Sequence, residues 1–362
     1  MQKQPPLIKS LLTIAIPCYN GATNFAELFS SIELLGLNKQ EYEVLIIDNH
    51  SIDDTEMVIA GFKRRWPNLK YHRNKSNIGR IENWNLALEL CEGEFVILMN
   101  VNDRFLPFDI RRPLQILKAN KQVTMVLTDY KQKGLVYPNW LEKGCFKFND
   151  YIKATFLDAR ILEFYSLGIL HQHIFRTDLI RQAGVSFDPK MPRTTDRVFV
   201  GEVACFGGEI IYYLNESMVE WRLNTNRYHY AAHINKHSFN LEELWLNEYE
   251  ANFRLSQLAE IDQKDFLKSQ LMLAMSYTHK HWLYNFRNKL HTRKETREGL
   301  EFLTAKIYLE YVKAICKMND FRFNYNLISI ESFFAVVREF LIFHKILKKN
   351  RSLKGVISEQ DL

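Results

Sequence analysis

Leu12-Thr13-Ile14-Ala15-Ile16-Pro17-Cys18-Tyr19-Asn20 decides how the chain is read. An apolar run that begins at Leu11 closes at Pro17, and the polar residues Tyr19 and Asn20 follow at once. Such a run reads as a buried strand that delivers polar groups at its carboxyl end. The pattern recurs along the chain. Val44 to Ile47 ends at Asp48-Asn49, Phe95 to Met99 ends at Asn100, and Val123 to Leu127 ends at Thr128-Asp129. Between these runs lie helical spacings. Phe25, Leu28, Phe29, Ile32 and Leu35 form one, and Met57, Ile59, Ala60 and Phe62 behind Asp53-Asp54-Thr55 form another. Ile81, Trp84, Asn85 and Leu88 form a third. Strand–helix alternation predicts an α/β fold whose strands run parallel and are covered on both faces. Ligands of open α/β sheets bind at the carboxyl ends of the strands. Tyr19, Asn20, Asp48, Asn49, Asn100, Asn102, Asp103 and Asp129 all fall there.

The chain has 362 residues, which at roughly 100–200 per domain suggests two domains, or one large domain with an appendage. Hydrophobic residues at 47% and charged residues at 25% exclude disorder, collagen and coiled coil as descriptions of the whole. Glycine is scarce, and no G-x-G-x-x-G or Walker fingerprint occurs, which argues against a dehydrogenase or a nucleotidyltransferase. The net charge of +6 is too modest to imply a nucleic-acid partner. Its excess lies towards the C-terminus, where Arg338, Lys345, Lys348, Lys349, Arg351 and Lys354 face a single acid, Glu339. Five scattered cysteines without a C-x-x-C pair fit a reducing compartment rather than a disulfide framework or a zinc cluster. Met1 to Ser10 lacks an apolar leader, and no run approaches ~18 uninterrupted apolar residues. A cytoplasmic protein is expected. After Tyr228 the pattern is helical, with Leu241, Leu244, Trp245 and Tyr249 on one face. Leu267, Leu271, Ala274, Met275 and Tyr277 share a second, and Leu303, Ile307, Tyr308 and Val312 a third. The expected division is a sheet-bearing domain over 1–228 and a helical region over 229–362.

Four segments in order resemble family 2 glycosyltransferases, nucleotide-sugar-dependent enzymes of the GT-A fold. Leu12 to Asn20 resembles the family's opening strand. Glu43 to Thr55, with Asp48-Asn49-His50-Ser51-Ile52-Asp53-Asp54-Thr55, resembles its second strand and the acidic turn after it. Asn74-Lys75-Ser76-Asn77-Ile78-Gly79-Arg80 is similar to its Asn-x-Gly segment, and Gly93 to Met99 to the strand that leads to its metal motif. The resemblance covers roughly residues 10–225. It implies a Rossmann-like mixed sheet flanked by helices. It further implies an inverting transferase that moves a sugar from a nucleotide diphosphate, with UDP or dTDP favoured, to a saccharide or lipid-linked acceptor in polysaccharide or glycoconjugate synthesis.

The resemblance also distributes roles. Asp48 stands where the family accepts a hydrogen bond from the base, and Pro17, Tyr19 and Asn20 form the turn beside the base or ribose. Asn49 lies next to Asp48, and Arg80 stands where a guanidinium grips diphosphate oxygens. A capping role for Asp48 and Ser51 is the competing reading, and Asp53 suits a helix N-terminus. Where the family carries an acidic Asp-x-Asp-Asp cluster for Mg²⁺ or Mn²⁺, this chain has Asn100-Val101-Asn102-Asp103. Hard cations prefer charged oxygens. Three readings stand: a weakened metal site on Asp103 and Asn102, metal-free chemistry using Arg or Lys, or a nucleotide-sugar-binding protein with lost catalysis.

Downstream, His171-Gln172-His173 has no further ligands at zinc spacing, and His173 and Asn100 are candidates to face sugar or acceptor. Thr194-Thr195-Asp196 resembles the Glu-Asp segment of the general base, with Thr195 in place of Glu. An acceptor hydroxyl must lose its proton as it attacks, and Asp196 is the carboxylate placed to take it. Arg222, in Glu220-Trp221-Arg222, is a candidate for diphosphate or sugar contact against a structural ion pair. From Ser332 to Lys349, large apolar residues alternate with basic ones. That segment reads either as a packed helix or as a peripheral contact with an anionic membrane at its inner face.

Overall fold

The computed structural model describes residues 11–132, 135–137, 144–147, 170–191, 194–206, 210–222, 241–272, 274–275, 309–310, 312–313 and 315–316. The chain divides into two compact units, one over Met1–Phe148 and Ser166–Asn224, the other over Asn149–Tyr165 and Thr225–Leu362.

The first unit is built on one mixed sheet. Its elements in chain order are β1 (Leu12–Cys18), α1 (Phe25–Glu33), β2 (Tyr42–Asp48), α2 (Thr55–Lys63), β3 (Leu69–Arg73), α3 (Arg80–Leu90), β4 (Phe95–Leu98) and β5 (Arg104–Phe105). There follow α4 (Arg111–Ala119), β6 (Val123–Gln132), β7 (Leu135–Tyr137), β8 (Gly144–Lys147), β9 (His173–Arg176), α5 (Thr177–Ala183), α6 (Thr195–Phe206) and β10 (Ile210–Trp221). The strand order is β3-β2-β1-β4-β9-β6-β10-β5, with β7 on β6 and β8 on β10. β3, β2, β1 and β4 run parallel, with Ile14 beside Val44 and Ile97. β9 is antiparallel to both β4 and β6, so β6 runs in the direction of β4, and β10 runs parallel to β6. The carboxyl ends of β1, β2, β4, β6 and β10 therefore share one edge of the sheet.

The apolar runs become strands because they are buried from both sides. Leu12, Ile14, Ile16, Val44, Ile46, Phe95, Ile97, Val123 and Val126 are fully enclosed. α1 lays Phe25, Leu28, Phe29 and Ile32 on them, and Phe29 stacks on Phe62 at 4.2 Å between ring centroids. α2 differs from the spacing read in the sequence. Its inward residues are Thr55 and Ile59, while Met57 is exposed. A period of 3.6 puts Thr55, Ile59 and Phe62 on one face and turns Met57 away. At the amino edge of the sheet, buried Glu43 accepts from the Thr13 hydroxyl at 2.5 Å and from the Glu92 amide at 2.8 Å, and pairs with Lys70 at 2.7 Å. Gly93 passes so close that a Cβ there would stand 2.5 Å from the Thr13 backbone nitrogen.

In the second unit, α7 (Leu241–Leu258) and a helix over 263–272 meet through Phe266, whose ring lies 5.4 Å from Tyr249 and 5.5 Å from Phe253. Leu255, Leu267, Leu271 and Ala274 are buried there. The helical spacing from Leu303 to Tyr308 and the basic segment Ser332 to Lys349 lie outside the described residues. Among the described residues no helix is long and apolar enough to cross a membrane.

Candidate active site

The carboxyl edge of the sheet gathers the polar residues into four connected groups. The first surrounds Asp48, which is fully buried at the end of β2. One carboxylate oxygen accepts from the Ser51 amide at 2.8 Å and the Ser51 hydroxyl at 2.5 Å. The other accepts from the Tyr71 hydroxyl at 2.7 Å, with Arg73 Nε at 3.5 Å. Burial first, and then the Asp48 carboxylate, raise the Tyr71 pKa, which keeps its hydroxyl a donor. Both β3 residues lie outside the sequence reading, and they close over Asp48. The Ser51 hydroxyl accepts in turn from the amide of Asn20, whose φ is +54° and whose side-chain oxygen accepts from the Ile52 amide at 2.9 Å. Gly21 and Ala22 donate to Thr55 and Asp53. Burial pushes the Asp53 carboxyl up, but the hydrogen bonds from Thr55 and Ala22 bring it below the usual range. Asp53 thus ties the β1–α1 turn to the start of α2. Pro17 pairs with Ile47 within the sheet, and Tyr19 beyond it is partly exposed at the rim.

The second group is a set of asparagines that shapes the Asn-x-Gly loop. Asn49 donates to Asn77 at 2.7 Å and accepts from Asn74 at 3.0 Å and from the Ile78 amide at 2.9 Å. Asn74 also donates to Asn83, which reaches the Ile47 carbonyl at 3.0 Å. Gly79, with φ +88°, makes the turn into α3, a conformation that suits glycine. Asn49 is therefore placed to hold this loop, and the loop delivers Arg80.

Arg80 belongs to the third group. Its guanidinium lies 4.8 Å from the centroid of the Trp84 ring, and its charge acts on Asp196. Asp196 sits half-buried in the first turn of α6. Burial pushes its carboxyl up to about 6, against the Arg197 amide and the charges of Arg197 and Arg80. Near neutral pH the group is mostly ionised yet basic enough to accept a proton, which is what a general base requires. The segment leading into α6 is held from α3. Asn85 donates to the Phe187 carbonyl at 3.0 Å and accepts from the Phe187 amide at 2.8 Å. The Asp188 amide donates to the Thr195 hydroxyl at 2.6 Å. The sequence reading counted Asn85 only as a member of an inward helix face, and an amide on such a face was its signal.

The fourth group is the altered acidic motif. Asp103, only 3% exposed, accepts from the Arg222 amide at 2.6 Å and from Asn100 Nδ2 at 3.0 Å. Asn100 Nδ2 also lies 3.3 Å from His171 Nδ1, which is 3.6 Å from Asp103. Burial lowers the His171 pKa to about 3, which keeps the ring neutral. Asn102 Oδ1 accepts from Asn24 at 3.0 Å. The Arg222 guanidinium bonds Glu27 at 3.0 Å and Glu220 at 3.1 Å, beside Arg104. His173 is fully buried on β9, its ring stacked on Phe175 at 5.4 Å. Among the described residues no three His, Cys, Asp or Glu side chains converge on a point that could hold a metal ion. The donor set confirms the misfit: one carboxylate is occupied by hydrogen bonds and the flanking amides are already paired, so these residues as folded do not fit a divalent cation.

Residues 13–182 match the model of Glycosyl transferase family 2. The chain is 24% identical over 221 residues to the poly(ribitol-phosphate) β-N-acetylglucosaminyltransferase TarS of Staphylococcus aureus, a match covering 61% of this chain and 35% of that protein. It is 23% identical over 189 residues to the poly(ribitol-phosphate) β-glucosyltransferase of Bacillus spizizenii, covering 52% of this chain and 28% of that protein. The chain thus spans about a third of the length of these relatives. The crystal structure of S. aureus TarS 1–349 in complex with UDP-GlcNAc superposes with a TM-score of 0.58 at 18% identity, covering 89% of each chain, and shares its fold. The family match covers the turns after β1, β2 and β4 and the Asn-x-Gly loop, and it ends before Asp196 and Arg222.

Proposed function

We propose that the chain transfers a sugar from a nucleotide-diphospho-sugar to a hydroxyl of a polymer or glycoconjugate acceptor, with inversion at the anomeric carbon. The observation that carries this reading is Asp196: a half-buried carboxylate at a helix start, its pKa near 6, facing a cation from the Asn-x-Gly loop. Asp196 takes the proton of the acceptor hydroxyl as its oxygen attacks the anomeric carbon. The nucleoside diphosphate departs from the opposite face, which inverts the configuration. UDP is the favoured donor nucleotide, in keeping with the UDP-GlcNAc bound by TarS. Relatives named for poly(ribitol-phosphate) point to an acceptor of the polyol-phosphate class, and the basic excess of the C-terminal sequence suits such a polyanion.

The amides at Asn100 and Asn102 support a second reading, a nucleotide-sugar-binding protein without turnover. One experiment separates the two. The full chain is incubated with a panel of UDP- and dTDP-sugars, with and without a polyol-phosphate polymer, and nucleotide release is followed beside thermal shift. Release that depends on acceptor and on Asp196 supports transfer. Binding without release for any donor or acceptor supports the second reading.

A further inference from the structure

We infer that the Asn100–Asp103 turn is a metal-free clasp, in which amide protons replace the divalent cation, and that donor binding proceeds without Mg²⁺ or Mn²⁺. This deepens the transferase reading and rests on it only for the donor.

The argument begins at position 100. Asn100 Nδ2 has two hydrogens, and two side chains stand within reach of it: Asp103 Oδ2, which accepts at 3.0 Å, and His171 Nδ1 at 3.3 Å. A carboxylate at position 100 would set an oxygen about 3 Å from that of Asp103, and like charges at that distance need a cation between them. The amide turns the same contact into a hydrogen bond. Asn102 is spent in the same way, its carbonyl oxygen accepting from Asn24 beside the first turn of α1. Asp103 keeps its other oxygen on the Arg222 amide at 2.6 Å, which fixes the end of β10 against the end of β4. The Arg222 side chain then returns to α1 through Glu27. These contacts form a closed circuit through α1, the β4–β5 turn and the end of β10. A motif with several carboxylates repels a diphosphate until a cation neutralises it. Here two of those charges are absent, so the need for the ion has gone together with its ligands.

Two measurements on the full-length protein test this. Mn²⁺ alone is titrated and followed by electron paramagnetic resonance, a readout that needs neither nucleotide nor activity. UDP binding is then measured by calorimetry in EDTA and in Mn²⁺. The clasp predicts a free-ion Mn²⁺ signal and a UDP affinity that changes less than about twofold between the two conditions. The double substitution Asn100→Asp with Asn102→Asp should introduce a Mn²⁺ enhancement of about tenfold or more, equivalent to about 1.4 kcal/mol. A tenfold enhancement in the unsubstituted protein, lost on Asp103→Asn, overturns the inference. If the double variant fails to fold, the unsubstituted protein and Asp103→Asn still decide between the outcomes. If the protein binds no UDP under any condition, the transferase reading fails instead. The Mn²⁺ titration then stands alone, and uptake of the ion overturns the clasp while a free-ion signal upholds it.

Discussion

Asp196→Asn should move stability and activity in opposite directions. In the folded protein burial raises the carboxyl from 3.8 to about 6. The folded state therefore holds this proton more tightly than the unfolded chain does, and ionisation costs the folded state free energy. The sign follows: stability from this group is full below the unfolded value, falls as pH rises between roughly 4 and 6, and stays reduced at neutral pH. At about 1.4 kcal/mol for each factor of ten, the penalty near neutrality is at most about 3 kcal/mol. Asparagine has the same size and no charge, and its Oδ1 can keep the Arg197 amide that Asp196 now holds at 3.0 Å. The variant should therefore melt higher than the parent at about pH 8, by as much as roughly 5–10 °C for a unit of this size. At about pH 4 the two should melt alike. Turnover should fall by ~10²–10⁴ because the proton acceptor is gone, while donor binding is kept. Thermal melts at the two pH values, paired with nucleotide-release kinetics, read both effects. A variant that melts lower at high pH would refute the assigned environment, and near-native transfer would refute the base, leaving Asp188 or Glu202 as the next carboxylates to test.

The remaining expectations concern the groups around that base. Arg80→Gln removes a charge that lowers the Asp196 pKa, so the rising acid limb of the rate profile should move upward from about 6; an unmoved limb counts against the pairing. Asp48→Ala strips the acceptor from the Ser51 amide and the Tyr71 hydroxyl. At about 1–3 kcal/mol for each stranded group it should lower the melting temperature, and the loss of a charged acceptor should weaken UDP more than about tenfold in calorimetry. Asn85→Ala strands both backbone groups of Phe187. It should cost about 2–4 kcal/mol by denaturant titration and lower turnover while the donor KM holds.

The sheet was legible where strands are buried on both faces, because such strands appear as continuous apolar runs. β1, β2, β4 and β6 all carry that mark. β3 does not. It lies at the sheet edge with Lys70, His72 and Arg73 exposed, so no apolar run announces it. Yet it supplies Tyr71 and Arg73 to Asp48, contacts that depend on pairing across residues 48 and 73 rather than on local pattern. The same limit hid the clasp. Asn100 and Asn102 were visible as departures from an acidic motif, but the groups that engage the turn come from three other parts of the chain: Asn24 on Asn102, His171 beside Asn100 and Arg222 on Asp103. The position of Asp196 at a helix start was legible locally, whereas the charge of Arg80 upon it is a tertiary fact.

α3 explains how these distant parts act on one place. Three residues within its first two turns face three different partners. Asn83 anchors the helix to the end of β2 through the Ile47 carbonyl, and it accepts from Asn74 in the loop network. Arg80, at the N-terminal end, carries that loop's charge towards Asp196. Asn85 grips the backbone of the segment from which α6 starts. A hydrogen-bonded helix of this length does not bend to absorb a small displacement at one end. The Asn-x-Gly loop and the segment that carries the proposed base Asp196 are therefore fixed by the same rigid element. The spacing between them is set by helix geometry, not by the side-chain freedom of either group.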